Sequence, residues 1–133
     1  MVKGTSSTTE TAEVLIIGAG FSGMIMAIEC ARAGLGSCLL IEKGDDIGGT
    51  WRDNTYPGAA CDIPSHLYSI ASEPSAMWTR MYAGFNEIQR YLQKVARKHG
   101  LYQKTRFGQE MERAFWSEDD QRWTVETTCG KTY

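Results

Sequence analysis

The sequence predicts an α/β fold: a parallel βαβ unit, a long irregular connection, one further helix and an antiparallel β-meander. Three observations carry this. An apolar run at residues 13–17 (EVLII) passes directly into GAGFSG, which sets Gly18, Gly20 and Gly23 in G-x-G-x-x-G spacing. A helical pattern follows, then a second apolar run at 37–41 that closes on the acid Glu42. Near the far end, two stretches with β-type alternation flank the acidic turn SEDDQ.

Each element has a local reason. EVLII is short and rich in branched side chains, as a buried parallel strand requires. Phe21, Met24, Ile25 and Ile28 fall at i, i+3, i+4 and i+7, one face of a helix, and Gly34 is its stop signal. Strand, glycines, helix, strand and acid in that order form the Rossmann-like dinucleotide-binding arrangement. Gly18 permits the tight turn, Gly20 admits a pyrophosphate against the backbone, and Gly23 lets the helix pack on the sheet. Free amides at the helix start, aided by its dipole, hold the phosphates without a lysine. Glu42 is placed to accept ribose hydroxyls, and its charge disfavours a 2′-phosphate, so FAD or NAD is expected over NADP.

Residues 48–69 (GGTWRDNTYPGAACDIPSHLYS) have no clear period. Long ordered loops are uncommon and usually functional. Gly48 and Gly49 allow close backbone approach or positive φ. Thr50 and Trp51 add a hydroxyl and a flat ring, Tyr56, Pro57 and Gly58 form a turn, and Ala59 and Ala60 keep the loop thin. Such a path suits a long flat ligand, which favours FAD.

Downstream, Phe85, Ile88, Leu92, Val95 and Ala96 mark one face of a four-turn helix, with Lys98 and His99 near its C-terminus and Gly100 ending it. Trp78 and Tyr82 suit either a ligand wall or the core. Residues 109–116 and 122–128 read as paired strands, with Trp123, Val125 and Thr127 on one face. Gly130 and Lys131 form a turn into a third strand at Thr132 and Tyr133.

The whole chain bounds the function. Its 133 residues suit one domain, expected over 12–133 behind a polar tail at 1–11. A net charge of −2 provides no footprint for nucleic acid. No apolar run is long enough for a membrane span. Cys30, Cys38, Cys61 and Cys129 include no C-x-x-C pair, so no metal site is expected; they read as reduced thiols of a cytoplasmic protein. Cys30 and Cys38 are expected in the core. Cys61 reads as small filler, and His66 as structural.

GAGFSG, IEKGDDIGGTW and NTYPGAACDIPSHLYS together resemble the N-terminal FAD-binding segment of the class B flavoprotein monooxygenases, above all the Baeyer–Villiger type. Residues 73–102 and the W-T-V strand continue the likeness. The resemblance implies that Gly18, Gly20, Phe21, Ser22 and Gly23 hold the FAD pyrophosphate, and that Glu42, with Lys43 beside it, meets the adenosine ribose. It implies that Gly49 contacts the cofactor, that Thr50, Trp51 and Tyr68 line the flavin, and that the strand carrying Met111 meets the adenine. Asp62 matches a carboxylate near the flavin that pairs with a catalytic arginine, and Ala60, Cys61 and Asp62 match the docking place of the NADPH nicotinamide. An arginine partner would offset the cost of such a carboxylate beside an apolar ring. The bare sequence also allows Asp62 a turn or helix-start role, and Trp51 that of a plain core aromatic.

By the same resemblance, the family reaction is hydride transfer from NADPH to FAD, oxygen capture as a flavin peroxide, and conversion of a ketone to an ester or lactone. Relatives carry a second glycine motif, a separate NADPH domain and the catalytic arginine, whereas this chain has one glycine motif. The expectation is therefore the FAD-binding part of an NADPH- and O2-dependent monooxygenase, incomplete relative to the family fold and inactive as an isolated chain. A non-catalytic FAD-binding module and an NAD-binding dehydrogenase domain are the alternatives.

Overall fold

The structure, a computed structural model, describes residues 9–133. Strand β1 (Val14–Ile17) leads into helix α1 (Phe21–Arg32), which returns the chain to β2 (Cys38–Ile41), parallel to β1 and in register from Val14 opposite Cys38 to Ile17 opposite Ile41. A one-turn helix, α2 (Thr50–Asp53), interrupts the irregular connection. Helix α3 (Phe85–Lys98) and the short α4 (Leu101–Lys104) then deliver β3 (Thr105–Arg106) to the other side of β2, giving a parallel sheet ordered β1-β2-β3. Strands β4 (Met111–Ser117) and β5 (Arg122–Thr127) form a separate antiparallel hairpin with a register shift between Met111 and Arg113. The α/β class with its antiparallel excursion is thus borne out.

Strand pleating divides the core in two. Along β2, Leu40 faces the helices and joins Met24, Ala27 and Ile28 of α1 with Ile88, Leu92, Val95 and Ala96 of α3. Leu39 and Ile41 point the opposite way, where Val125 and Tyr133 of the hairpin side cover them. Tyr133 exchanges both backbone hydrogen bonds with Val125, at 2.9 Å each, so the pairing expected at Thr132 and Tyr133 is present. Gly34 ends α1 with φ of 71°: its amide donates to the Ala31 carbonyl and that of Leu35 to Cys30, the two bonds of a Schellman turn.

Several expectations shift. On α1 the buried face is Met24, Ala27, Ile28 and Cys30, while Ile25 is 39% exposed because the helix meets the sheet one position further round. Tyr91 joins the buried face of α3 and packs on Trp78, with ring centroids 5.0 Å apart, so Trp78 serves the core while Tyr82 is exposed. Trp123 shares its face with the buried Val125 and Thr127 but lies out on the hairpin against Trp116, 62% exposed. Lys98 and His99 do not simply face the helix end; both bind the Glu73 carboxylate, at 2.7 Å. Cys30 and Cys61 are buried, Cys38 is half-buried and Cys129 exposed, all as free thiols. The tail expected over 1–11 lies outside the described residues as far as Thr8. Glu10, however, is anchored: its carboxylate takes two hydrogen bonds from Arg106, at 2.6 and 3.0 Å. No helix among the described residues is long and apolar enough to cross a membrane.

Candidate functional site

The first glycine loop sits where β1 and β2 end side by side. The Gly18 amide donates to the Ile41 carbonyl (2.7 Å) and the Ala19 amide to Glu42 Oε2 (2.8 Å), so the loop is tied to the C-terminal edge of the sheet. A Cβ on Gly23 would overlap the Gly18 carbonyl, and α1 approaches the turn as closely as it does because that atom is missing. At the N-terminus of α1 no side chain caps the helix and no acid occupies its first turn. The amides of Phe21, Ser22 and Gly23 have no acceptor within the helix and a positive dipole behind them.

The second glycine pair meets the first. Gly48 and Gly49 have φ of 116° and 53°, a path that L side chains rarely take. The Gly48 amide donates to the Ala19 carbonyl at 2.9 Å. A Cβ on Gly20 would find Gly49 Cα at 3.8 Å as its nearest neighbour. Two stretches of bare backbone therefore face one another.

Two cavities open along this seam and share Ile17, Gly18, Gly20, Gly49 and Thr50, so they form one groove. The first, about 350 Å³, runs past Phe21, Ser22 and Gly23 to Trp51 and Tyr68. There the rings close the wall: Trp51 Nε1 donates to the Tyr68 hydroxyl (3.1 Å), and Phe21 meets Tyr68 edge-on with centroids 4.9 Å apart. The second, about 440 Å³, runs the other way past Glu42 and Lys43 to Glu110 and Met111.

Glu42 is buried and already holds three donors: the Ala19 amide, the Gly44 amide (2.7 Å) and Arg52 Nη1 (2.9 Å). Burial alone would raise its carboxyl, but the two amides and then the guanidinium outweigh that and hold it below the usual carboxylate range. A carboxylate has about four acceptor positions. Glu42 is thus first a clamp between loops, with little capacity left for a ligand hydroxyl. The sequence does not mark Arg52 as a site residue; its partner lies ten positions earlier, across an irregular turn.

The groove gathers Gly18, Gly20, Phe21, Ser22, Gly23, Glu42, Lys43, Gly49, Thr50, Trp51, Tyr68 and Met111. It does not gather Ala60, Cys61 or Asp62. Ala60 is exposed and bridges to Gly84, and Cys61 is buried, its amide donating to the Ala83 carbonyl at 3.0 Å. Asp62 is exposed and has no side-chain partner among the described residues, and His66 is likewise exposed. Tyr56, Pro57 and Gly58 do form a turn, with the Ala59 amide donating to the Tyr56 carbonyl at 3.0 Å.

Comparison with known proteins agrees with this geometry. A family model described as an NAD(P)-binding Rossmann-like domain matches residues 16–85. A Baeyer-Villiger monooxygenase of Streptomyces coelicolor is 42% identical over 121 residues, 91% of this chain and 23% of that protein. Among solved structures, an oxidized steroid monooxygenase bound to NADP superposes with a TM-score of 0.85 at 32% identity, covering 92% of this chain and 24% of its own. The complex of OTEMO with FAD and NADP superposes with a TM-score of 0.80 at 30% identity, covering 94% and 24%. The chain spans about a quarter of the length of these relatives.

Proposed function

We propose that this chain, which belongs to the family of NAD(P)-binding Rossmann-like domains and is homologous to Baeyer–Villiger monooxygenases over 91% of its length, binds FAD as the flavin-holding part of such an enzyme. The observation that carries this reading is the groove: backbone-floored at its middle, acidic at one end and aromatic at the other. A dinucleotide with a flat second ring fits that order. The residues present suit the group, because the amides of Phe21, Ser22 and Gly23 need an acceptor and no protein side chain caps them.

When bound, FAD supplies electron transfer from NADPH and activation of O2, through which the whole protein would oxidise a ketone to an ester or lactone. This chain's residues bind and orient. The α1 amides hold the diphosphate, and Lys43 meets the ribose together with the one acceptor position that Glu42 has left. Gln109, Glu110 and Met111 line the adenine end. Trp51 and Tyr68 wall the flavin end. Exposed Asp62 is free to pair with an arginine from the rest of the enzyme, and Ala60, Cys61 and Asp62 form the proposed NADPH-facing edge. Residues 12–133 form the FAD-binding domain, and its place is the cytoplasm, which cell fractionation would test.

The deciding experiment titrates purified protein with FAD and, separately, with NAD, following flavin fluorescence and protein fluorescence. Saturable FAD binding that Gly20→Val abolishes is the expected result. NAD binding without FAD binding would instead assign the groove to a dehydrogenase-type domain. Anaerobic NADPH should leave the FAD-loaded 133-residue chain yellow; bleaching would mean that this chain alone suffices for reduction.

A further inference from the structure

We propose that Arg52 is a positioning residue for both ends of the groove, setting Glu42 at one end and, through α2, Trp51 at the other. The inference rests on the reading of the groove as an FAD site. Arg52 reaches back from α2 across the loop, and its side chain is only 14% exposed. Its Nη1 donates to Glu42 Oε1 at 2.9 Å and to the Asp46 carbonyl. Its Nε and Nη2 fork onto Asp53 Oδ1 and Oδ2, at 2.7 and 3.1 Å. One planar group thus ties together the acid after β2, the turn before Gly48, and α2 itself.

Helix α2 needs such a tie. It is a single turn of four residues with no side-chain cap at its N-terminus and one at its C-terminus, where Asn54 Nδ2 donates to the Thr50 carbonyl at 2.9 Å; it is too short to persist on its own hydrogen bonds. Trp51, which walls the aromatic end, sits on that turn beside Arg52. At the acidic end, Arg52 is the one basic side chain bonded to Glu42 among the described residues. Lys43 is exposed, and Arg106, although its carbonyl accepts the Glu42 amide, pairs its own side chain with Glu10. The turn is shaped to admit the guanidinium: a Cβ on Gly44 would collide with it. A lysine would keep one charge but lose the fork.

The test uses the full 133-residue chain and FAD itself, with affinity from flavin fluorescence and geometry from the visible circular dichroism of bound flavin at saturation. Arg52→Met should weaken FAD binding by about ten- to hundredfold and alter the dichroism. Combined with Glu42→Gln it should lose little more than either change alone, because both remove one coupled unit. Gly44→Ala, which displaces the guanidinium without deleting it, should reproduce both effects, and Arg52→Lys should recover part of the affinity. Wild-type affinity and dichroism in Arg52→Met, or losses that add fully to those of Glu42→Gln, would overturn the proposal. If Arg52→Met does not fold, wild-type behaviour of both Gly44→Ala and Arg52→Lys overturns it equally. FAD binding by the wild type that Gly20→Val abolishes keeps the flavin reading standing even then, whereas no FAD binding by the wild type removes both.

Discussion

A methyl group added at Gly23 would be destabilising even though it sits in a helix. Its Cβ would overlap the Gly18 carbonyl oxygen, lie 3.0 Å from the carbonyl carbon and come within 3.3 Å of Ile16 Cγ2. The first two neighbours are backbone in a turn pinned to β2, and the third belongs to a buried strand residue, so none can swing aside. Overpacking of this kind costs about 3 kcal/mol at the upper end of its usual range. Alanine's helix preference over glycine offsets about 1 kcal/mol. The net expectation for Gly23→Ala is a loss of about 2 kcal/mol. With a urea m-value of about 2 kcal/mol per molar, the midpoint should fall by about 1 M. Gly20→Ala is the control, since its Cβ meets only Gly49 Cα at 3.8 Å, an ordinary contact. Its midpoint should move by less than half as much, while its FAD affinity falls. An unchanged urea midpoint for Gly23→Ala, or a larger drop for Gly20→Ala, would refute the division of labour between the two glycines.

Glu42→Ala should cost about 3 kcal/mol in urea unfolding, because it leaves the amides of Ala19 and Gly44 without an acceptor and takes one of its two carboxylates from the Arg52 guanidinium, which keeps Asp53. The folded carboxyl of Glu42 is held below its unfolded value, so its contribution is complete above about pH 4.3 and fades as pH falls through the folded pKa. An acid titration of stability should therefore be shallower in Glu42→Gln than in wild type. Tyr91→Phe removes a hydroxyl that accepts from the Ile70 amide and donates to the Glu73 carbonyl, both at 2.9 Å; denaturant melts should show a loss of about 1–3 kcal/mol. Trp51→Phe deletes the hydrogen bond to Tyr68, and the fluorescence of bound flavin should rise as that wall loosens.

The βαβ unit is legible in the sequence because two periodicities and a glycine spacing agree there. Residues 13–17 and 37–41 mark both strands, and only Glu13 and Ser37 fall outside the strands observed. β1 and β2 are as short but show as continuous apolar runs; the single turns α2 and α4 and the two-residue β3 have neither a run nor room for a period, which is why they leave no trace. Ile25 and Trp123 show the other failure: pattern names a face, but packing decides how far the neighbour reaches across it. Of the site, the glycines and the aromatic wall can be read from residue type. Arg52 cannot, since its role depends on a turn that brings Glu42, Asp46 and Asp53 around one guanidinium. Nor can the occupancy of Glu42: the sequence marks an acid at a strand end, while its three donors come from folded loops.

The meeting of Gly20 with Gly49 has a consequence for how such a protein could diversify. Peptide units carry no identity, so in the proposed FAD site the waist of the groove would grip a diphosphate without asking what hangs on either side of it. Discrimination is left to the flanks, around positions 42–43 and 51–68. Swapping those two patches between distant cousins should therefore transplant ligand choice while leaving the grip untouched.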